Sequence, residues 1–331
     1  MKKKALIFDC DNTLWYGVLG EEEIIPDEAI QRDIIFFAEH GIIIGLCSKN
    51  NEEDVIAALK YQPLTEDYIS VKRINWKDKA SNLKEIVQEL NIGMDAVVFI
   101  DDSEFERNLI QTQLPEIMVI EPRDLMKTIA FNFDLSGDIS KTQQYRENHQ
   151  RLKYQEQFTD IGAYLDSLDM VLSIKFNDIL HIPRIAELTQ KTNQFNLTTE
   201  RYTEQSLRYQ DMVYSISVKD KFGDNGITGV CIVNRWDVPH YAILSVFLLS
   251  CRILGRTIEH AFLDYVMKDL KRHGFTQVYG EYIPSAKNQQ VASFYPDMGF
   301  ERCSGDIDEF IYYINTSNYK DHAARNRFQY E

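Results

Sequence analysis

Two aspartates one residue apart, Asp9 and Asp11, close the first apolar run of the chain, in Phe8-Asp9-Cys10-Asp11-Asn12-Thr13. Side chains two positions apart in an extended strand point the same way, so both carboxylates can face one site. A like-charged pair held this close is costly, and a divalent cation relieves the repulsion. One carboxylate could attack phosphorus while the other protonates the leaving oxygen and then activates water. By itself, the pair is equally compatible with a surface turn.

Further polar residues lie at the ends of predicted strands or at the start of a predicted helix. They are Ser48, Lys49 and Asn50 after Ile42–Cys47, Asp101 and Asp102 after Ala96–Ile100, and Lys79 at the start of a helical pattern. A hydroxyl, a cation and acids are the groups that can hold phosphoryl oxygens as charge redistributes. Taken singly, Ser48 is favoured as a cap of a helix over Asn51–Leu59, and Lys79 as a solvated helix residue. Their joint occurrence in this order favours a phosphotransfer site instead.

The elements that must position these residues alternate along the first third of the chain. Continuous apolar runs of strand length alternate with helical patterns, the runs being Ala5–Asp9, Ile42–Cys47, Ala96–Ile100 and the shorter Met118–Ile120, and the helices Glu52–Tyr61 and Lys79–Leu90. Continuous runs indicate strands that are buried on both faces, as in a parallel sheet between helices. We therefore predict a doubly wound α/β domain over residues 1–125, with its ligands at the carboxyl edge of the sheet.

The remaining chain predicts a polar helical connector over 126–165, a second α/β domain over 166–316 and a polar tail or peripheral helix over 317–331. The second domain has predicted strands at Met170–Phe176, Met212–Val218, Gly229–Val233, Tyr241–Leu249 and Gln277–Tyr282, and predicted helices at Ile182–Gln190 and Gly255–Lys271. Asp224-Asn225-Gly226 is typical of a hairpin turn.

Composition narrows the class of protein. Of 331 residues, 44% are hydrophobic and 26% charged, as in a globular protein of about two domains. The net charge of −15 argues against nucleic acid as a partner, because phosphate binding needs clustered cations. Five cysteines without a CxxC pair favour a reduced, cytoplasmic setting. We also expect no membrane partner, since no apolar run has the length of a membrane span.

The motifs of the first domain resemble those of the haloacid dehalogenase (HAD) superfamily, which has a DxDxT motif, a Ser or Thr, a Lys and an acidic pair. The resemblance implies Mg²⁺ as cofactor, Asp9 as nucleophile and metal ligand, and Asp11 as general acid and base that also gives its carbonyl to the metal. It further implies that Asp102 completes the metal shell while Asp101 orients Lys79, although the order of these two stays open. The implied phosphate-binding residues are Ser48, Lys49, Asn50 and Lys79.

Two segments of the second domain resemble the GNAT acyltransferase fold. Arg252-Ile253-Leu254-Gly255-Arg256-Thr257 resembles the acyl-CoA-binding loop, in which amides at a helix N-terminus take the pyrophosphate. Asn288 through Phe294-Tyr295, with Gly299-Phe300, resembles the last helix and the strand after it. Thr257 stands where that loop usually has Gly or Ala, and this departure weighs against binding of free CoA.

Over nearly the whole chain, the sequence is similar to the FkbH-like family (HAD subfamily IIIC). The similarity rests on Asp11-Asn-Thr-Leu-Trp15, Gly17-Val-Leu19, Thr189-Gln-Lys-Thr-Asn-Gln-Phe-Asn196 and Ser250-Cys251-Arg252. It implies transfer of a glyceryl unit from 1,3-bisphosphoglycerate, a small phosphorylated three-carbon acid, to the phosphopantetheine thiol of an acyl carrier protein. Such proteins serve polyketide-type or surface-glycan biosynthesis.

Within that resemblance, Cys251 is the candidate thiol that carries the glyceryl unit. The implied acyl or pantetheine pocket has as its candidates Lys191, Asn193, Gln194, Asn196, Arg252, Gly255 and Arg256. The alternatives are that Cys251 is a small core residue and that Lys191–Asn196 is an ordinary helix end.

Three other functions stay open from the sequence. The chain could be a phosphomonoesterase whose second domain acts as a specificity or binding domain. It could be a binding module for a carrier protein or a cofactor that has lost its chemistry. It could also contain an acetyltransferase that works independently of the phosphatase.

Overall fold

The computed structural model describes residues 2–129, 133–304, 309–324 and 327–331. The chain divides into two compact units, Met1–Tyr154 and Gln155–Glu331. Each unit is described by itself. None of the helices in the described ranges combines the length and apolar character needed to cross a lipid bilayer.

The first unit is built on a five-stranded, wholly parallel sheet in the order β5-β4-β1-β6-β7. The strands of this unit are β1 Ala5–Phe8, β2 Trp15–Tyr16, β3 Ile25–Pro26, β4 Ile43–Ser48, β5 Val71–Ile74, β6 Val97–Ile100 and β7 Met118–Ile120. Of these, β2 and β3 form a separate two-stranded hairpin. The helices are α1 Glu28–Glu39, α2 Glu52–Leu59, α3 Lys79–Leu90, α4 Glu104–Gln113, α5 Leu125–Ile129 and α6 Ser140–Gln155.

Alternation along β1 explains why helices cover both faces of this sheet. Leu6 and Phe8 pack into one apolar cluster with α1 and α2, whereas Ala5 and Ile7 pack into a second cluster with α3 and α4. Successive side chains of a strand point to opposite faces, so a run that is apolar throughout needs a cover on each side. The doubly wound α/β prediction is confirmed.

Several parts of the first unit were not predicted. The strand β5 carries Lys72 and Arg73 between Val71 and Ile74, so its polar centre hides the apolar pattern. The connecting helix α6 forms contacts with the first unit, since Arg146 pairs with Asp67 and His149 contacts Glu89.

The second unit contains a nine-stranded mixed sheet, with α8 and α10 as its longest helices. Its elements are α7 Ile161–Asp166, β8 Met170–Phe176, α8 Ile182–Lys191, β9 Phe195–Asn196, α9 Glu204–Leu207, β10 Met212–Asp220, β11 Gly223–Arg235, β12 Tyr241–Leu249, α10 Ile258–Arg272, β13 Gln277–Tyr282, α11 Phe294–Asp297, β14 Glu301–Ser304, β15 Phe310–Asn315 and β16 Phe328–Tyr330. The order is β14-β15-β13-β12-β11-β10-β8-β16, with β9 paired to β12. The prediction of a second α/β domain is confirmed.

Two local predictions in this unit were wrong. The β10–β11 hairpin turns at Lys221-Phe222, and Asp224-Asn225-Gly226 lies inside β11, where the register shifts and Gly226 has φ +63°. A bulge uses the same positive-φ residues as a turn. The turn was therefore predicted a few residues after its actual position. The segment expected to be a polar tail or helix ends in β16, which pairs in parallel with β8.

Candidate active site

The register of three strands brings the acidic motifs together at one sheet edge. Phe8 at the end of β1 lies opposite Leu46 of β4 on one side and Ile100 of β6 on the other. The residues that follow, Asp9 and Asp101, are therefore neighbours, and the Asp9 amide donates to the Ile100 carbonyl at 2.9 Å. This is the carboxyl edge of a parallel sheet, where open α/β folds bind their ligands.

Lys79, the first residue of α3, lies between the two buried aspartates. Its Nζ donates to Asp9 Oδ1 at 2.8 Å and to Asp101 Oδ2 at 2.6 Å. Asp78 caps the helix by accepting from the Ser81 amide, which fixes the position from which the lysine reaches the site. Burial lowers the pKa of Lys79, but the two carboxylates outweigh it and raise that pKa, so the ammonium is retained.

Asp9 lies in an environment that disfavours its charge. Burial raises the pKa of the Asp9 carboxyl to about 6, the Lys79 ammonium opposes this rise, and the Asp101 charge adds to it. The Ser48 hydroxyl also favours the charged form and so lowers the pKa of Asp9. A further cation beside Asp9 would favour ionisation of the carboxyl, because opposite charge stabilises the charged form.

The carboxylate of Asp11 is held by three N–H donors. Oδ1 accepts from Trp15 Nε1 at 2.9 Å and from the Leu19 amide at 3.0 Å, while Oδ2 accepts from Asn50 Nδ2 at 2.9 Å. Two of these donors come from the segment that contains the β2–β3 hairpin, and the third comes from the loop after β4. Asp11 is thus fixed between two loops beside Asp9.

The end of β4 and the loop after it supply three consecutive polar residues with different contacts. Ser48 is buried, and its expected alternative as a helix cap is wrong, because the N-cap of α2 is Asn51. Asn50 reaches Asp11. Lys49, which was predicted to bind phosphate, pairs with a carboxylate: its Nζ lies 2.7 Å from Glu106 Oε1.

The donor set fits a hard divalent cation. Asp9, Asp101 and Asp102 each offer a carboxylate oxygen, and these three oxygens lie within 4.8 Å of one another. Three carboxylates face the single ammonium of Lys79, which leaves an excess of negative charge. Burial, and then the nearby Asp101 charge, raises the pKa of Asp102, as expected of a crowded acidic site. Oxygen ligands of this kind are those that Mg²⁺ prefers.

Arg107 on α4 supports this acidic pair, and neither it nor Glu106 on the same helix was predicted from the sequence. Arg107 Nη1 donates to the carbonyls of Asp101 and Asp102 at 2.8 and 2.6 Å, and its Nη2 pairs with Glu121 at 3.0 Å. Glu106 pairs with Lys49 as described above. The sequence contains no motif for these roles, although a cation and an acid within one turn of an acidic pair would be a reason to examine them.

In the second unit, the candidate thiol is accessible. Cys251 is exposed and starts a short 3-10 turn directly after β12. The alternative that it is a small core residue is therefore wrong. Cys10, by contrast, is fully buried beneath the first motif.

The loop that resembles an acyl-CoA-binding loop has only part of the expected features. Gly255 is exposed with φ +78°, and Arg252 is partly buried. Arg256, however, is buried, with its Nη1 3.0 Å from the Asp220 carboxylate and its Nη2 donating to the Arg252 carbonyl at 2.8 Å. Thr257 adopts the left-handed conformation at the start of α10. Arg256 is thus engaged within the fold.

The predicted pocket residues at the end of α8 and in the loop after it make contacts with residues close to them in the chain. Lys191 is exposed and pairs with Glu187 on its own helix, Asn193 contacts Arg201, and Gln194 is exposed. Asn196 is fully buried, donates to the Thr192 carbonyl and accepts from the Thr199 amide. As a group, these residues organise the loop itself.

The same loop fills a gap in the sheet. The parallel pairing of β12 with β13 ends at Leu244, and beyond that point β12 pairs with β9. The following residue, Leu197, donates to Phe247 and accepts from the Ile283 amide, so it bridges β12 to the end of β13. The strand edge there is closed by the chain's own backbone.

Comparisons with solved structures find proteins that are similar to parts of the chain. No protein-family model and no curated protein sequence matches the chain. The N-terminal part of the protein BF1531 from Bacteroides fragilis, which contains a phosphatase domain complexed with Mg, is 35% identical over 41% of this chain, with a TM-score of 0.38. The match spans 42% of that structure's chain.

Two acetyltransferases are also similar to part of the chain. The ribosomal-protein-S18-alanine N-acetyltransferase from Escherichia coli is 14% identical, with 47% of this chain and 98% of that one covered and a TM-score of 0.35. An acetyltransferase of the GNAT family from Staphylococcus aureus Mu50 is 13% identical, with 44% and 99% covered and a TM-score of 0.35. Each of these solved structures covers less than half of this chain.

Proposed function

We propose that the chain is a magnesium-dependent phosphotransfer enzyme in which Asp9 is the nucleophile. The observation that carries this proposal is the buried arrangement in which Lys79 bridges Asp9 and Asp101 at the carboxyl edge of the sheet. Lys79 contacts two carboxylates, and an oxygen of a third, Asp102, lies within 4.8 Å of oxygens of both. Asp11 is held by separate donors.

In the proposed reaction, an Asp9 oxygen attacks the phosphorus of a phosphate ester and the bond to the leaving oxygen breaks. Asp11 protonates that oxygen, and then removes a proton from the water that hydrolyses the aspartyl-phosphate. Lys79 and Ser48 hold the phosphoryl oxygens, with Asn50 fixing Asp11. Bound Mg²⁺, held by Asp9, Asp102 and the Asp11 carbonyl, would neutralise phosphoryl charge. Asp101 positions Lys79.

A phosphate-release assay with small phosphate esters tests this proposal. We expect turnover that needs Mg²⁺, is abolished by a chelator and returns when the metal is restored. Asp102→Asn should raise the Mg²⁺ concentration needed for half-maximal activity. Turnover that is indifferent to the metal would contradict the proposal.

For the substrate, we propose 1,3-bisphosphoglycerate and an acyl carrier protein, as the FkbH-like resemblance implies. The Cys251 thiolate would attack the acyl carbon, forming a thioester and releasing inorganic phosphate, and the carrier's phosphopantetheine thiol would then take the glyceryl unit. The Asp9 site would hydrolyse the remaining phosphate ester. The exposure of Cys251 supports this assignment. Arg252 and Gly255 remain candidates for holding the pantetheine arm.

Intact-protein mass measurement tests the acyl transfer. With Mg²⁺, 1,3-bisphosphoglycerate and a phosphopantetheinylated carrier, we expect the carrier to gain a glyceryl mass. Without carrier, the enzyme should gain that mass, and Cys251→Ala should lose it, whereas Cys303→Ala, at the other exposed cysteine, should retain it. Phosphate release without any mass gain on several carriers would contradict the transfer.

A phosphomonoesterase is the second candidate. The ion pair of Arg256 and the burial of Asn196 favour it, because both residues lie within the fold instead of lining a pocket. It predicts that ester turnover is unchanged in Cys251→Ala.

A further inference from the structure

An ion pair crosses the end of the strand that carries the nucleophile. Lys49 lies in the loop after β4, and Glu106 lies in the first turn of α4, which follows β6. In the sheet, β4 and β6 are the two neighbours of β1, about 10 Å apart at the usual strand spacing. The contact of 2.7 Å between Lys49 Nζ and Glu106 Oε1 therefore spans the carboxyl end of β1, where Asp9 lies.

The two partners differ in burial. The Glu106 side chain is 10% exposed, and its second oxygen, Oε2, is buried without a hydrogen-bond partner among the described residues. The Lys49 side chain is 40% exposed. A buried acid with one free oxygen is costly, and its place near the N-terminus of α4 offsets only part of that cost. Glu106 is thus the buried partner of the pair, and Lys49 is the partner that solvent and ligands can reach.

Geometry also separates Lys49 from the cation used in the phosphoryl transfer. Lys79 is buried and donates two of its three N–H groups to carboxylates. Lys49 is more exposed, and Glu106 takes one of its three donors. The neighbours of Lys49 in sequence, Ser48 and Asn50, face Asp9 and Asp11. Lys49 thus follows β4 at the same sheet edge at which Asp9 follows β1.

We propose that Lys49, positioned by Glu106, binds a second anionic group of the substrate, such as a carboxylate or a further phosphate. This inference rests on the proposed phosphotransfer at Asp9. The enzyme would select phosphate esters whose leaving portion carries a negative charge. Glu106 is a positioning residue, because it acts through Lys49.

Matched substrates test the inference in the full-length protein with Mg²⁺. Phosphoglycolate and its primary amide have nearly the same size and differ in the charge of the leaving portion. We expect the wild-type ratio of kcat/KM for the acid over the amide to fall about tenfold in Lys49→Met, mainly through KM of the acid. Lys49→Arg should recover part of the ratio, and Glu106→Gln should lower it less than Lys49→Met does.

Lys77→Met is the control, because Lys77 is an exposed lysine that pairs with Glu85 outside the site. It should leave the ratio unchanged. An unchanged ratio in Lys49→Met, even with slower turnover of both esters, would overturn the inference and leave the proposed function intact. A wild-type protein that hydrolyses neither these esters nor other phosphate esters would contradict the proposed function, and the inference with it.

Discussion

At the scale of single residues, Asp9 is a carboxylate whose charge is maintained by its neighbours. Burial raises its pKa, and the Lys79 ammonium and the Ser48 hydroxyl counteract that rise. The types of these residues, and their order along the chain, could be predicted from the sequence. Glu106 and Arg107 could not, because their roles depend on how α4 lies against the loop after β4 and on carbonyls that any residue would offer.

Asp9→Asn should abolish phosphate release, because an amide is not a nucleophile toward phosphorus. The expected loss is about a thousandfold or more, on the scale of removing a nucleophile in other enzymes. Asp134→Asn, at an exposed aspartate in the same unit, is the control and should retain full activity. The assignment of Asp9 would be wrong if Asp9→Asn kept its activity.

Lys79→Met should destabilise the first unit, because it leaves two buried carboxylates without their cation. Breaking a buried pair in this way costs about 3–5 kcal/mol. Urea unfolding without metal measures the loss, with Lys77→Met as the exposed control expected to change stability by less than about 0.5 kcal/mol. Adding Asp101→Asn to Lys79→Met should restore part of the stability. Equal midpoints for the two lysine variants would show that the bridge is not stabilising.

At the scale of elements, the strands that are apolar throughout could be predicted and those with polar centres could not. Ala5–Phe8 and Met118–Ile120 follow directly from composition, while β5 carries two charged residues between its apolar ends. The bulge at Asp224–Gly226 uses turn residues, so local chemistry alone does not distinguish it from a turn. The position of β9 beside β12 depends on where β13 diverges, which no local pattern encodes.

The carboxyls of Glu281 on β13 and Glu309 should make stability depend on pH. Burial raises the pKa of Glu281 from 4.5 to about 7. A hydrogen bond with Glu309 and the negative charge of Glu309 contribute to this rise. The folded state thus binds this proton more tightly than the unfolded state does, so the stabilisation is complete below about pH 4.5 and is lost as pH rises through about 7.

Denaturation of Glu309→Gln across this pH range measures the effect. The variant should lose less stability than the wild type between pH 4.5 and 7, because the like charge facing Glu281 is gone. Glu301→Gln, at an exposed glutamate of β14, should follow the wild-type curve. Parallel curves for wild type and Glu309→Gln would exclude the pair as the cause.

The C-terminal segment should be released by a change on α10. The buried carboxylate of Asp264 accepts from the Tyr319 hydroxyl at 2.7 Å, the Ala323 amide at 2.8 Å and the His322 amide at 3.0 Å. Asp264→Ala leaves these donors unpaired, at a cost of about 2–4 kcal/mol. Limited proteolysis should then cleave after residue 316 faster than in Asp321→Asn, whose exposed pair with Lys268 contributes little. Equal cleavage rates would argue against the anchoring role.

At the scale of the whole molecule, the chain joins two units with separate cores and separate candidate chemistry. Length and composition predict two domains, and the motif positions assign phosphoryl chemistry to the first. The net charge of −15 of the whole chain disfavours nucleic acid as a partner. The sequence did not predict that Asn196 and Arg256, in two separate segments of the second unit, are bonded within the fold.

Magnesium should stabilise the first unit alone. Trp15 is buried in that unit and Trp76 is exposed there, so Trp236→Phe leaves only reporters of the first unit. Binding to the folded state raises stability by mass action, so the fluorescence transition should move upward with Mg²⁺. Asp9→Asn, combined with Asp102→Asn, should remove most of the shift. The same shift in this variant would locate the metal elsewhere.

Chemical trapping of a phosphoryl group on Asp9 tests most directly whether Asp9 is the nucleophile. An aspartyl-phosphate is an acyl phosphate, so borohydride added during turnover reduces it to homoserine. Peptide mass spectrometry should find homoserine at position 9, only with substrate and Mg²⁺ present, and not in Asp9→Asn. Steady turnover with no reduced residue, or with reduction at another acid such as Asp101, would contradict the assignment of Asp9 as the nucleophile.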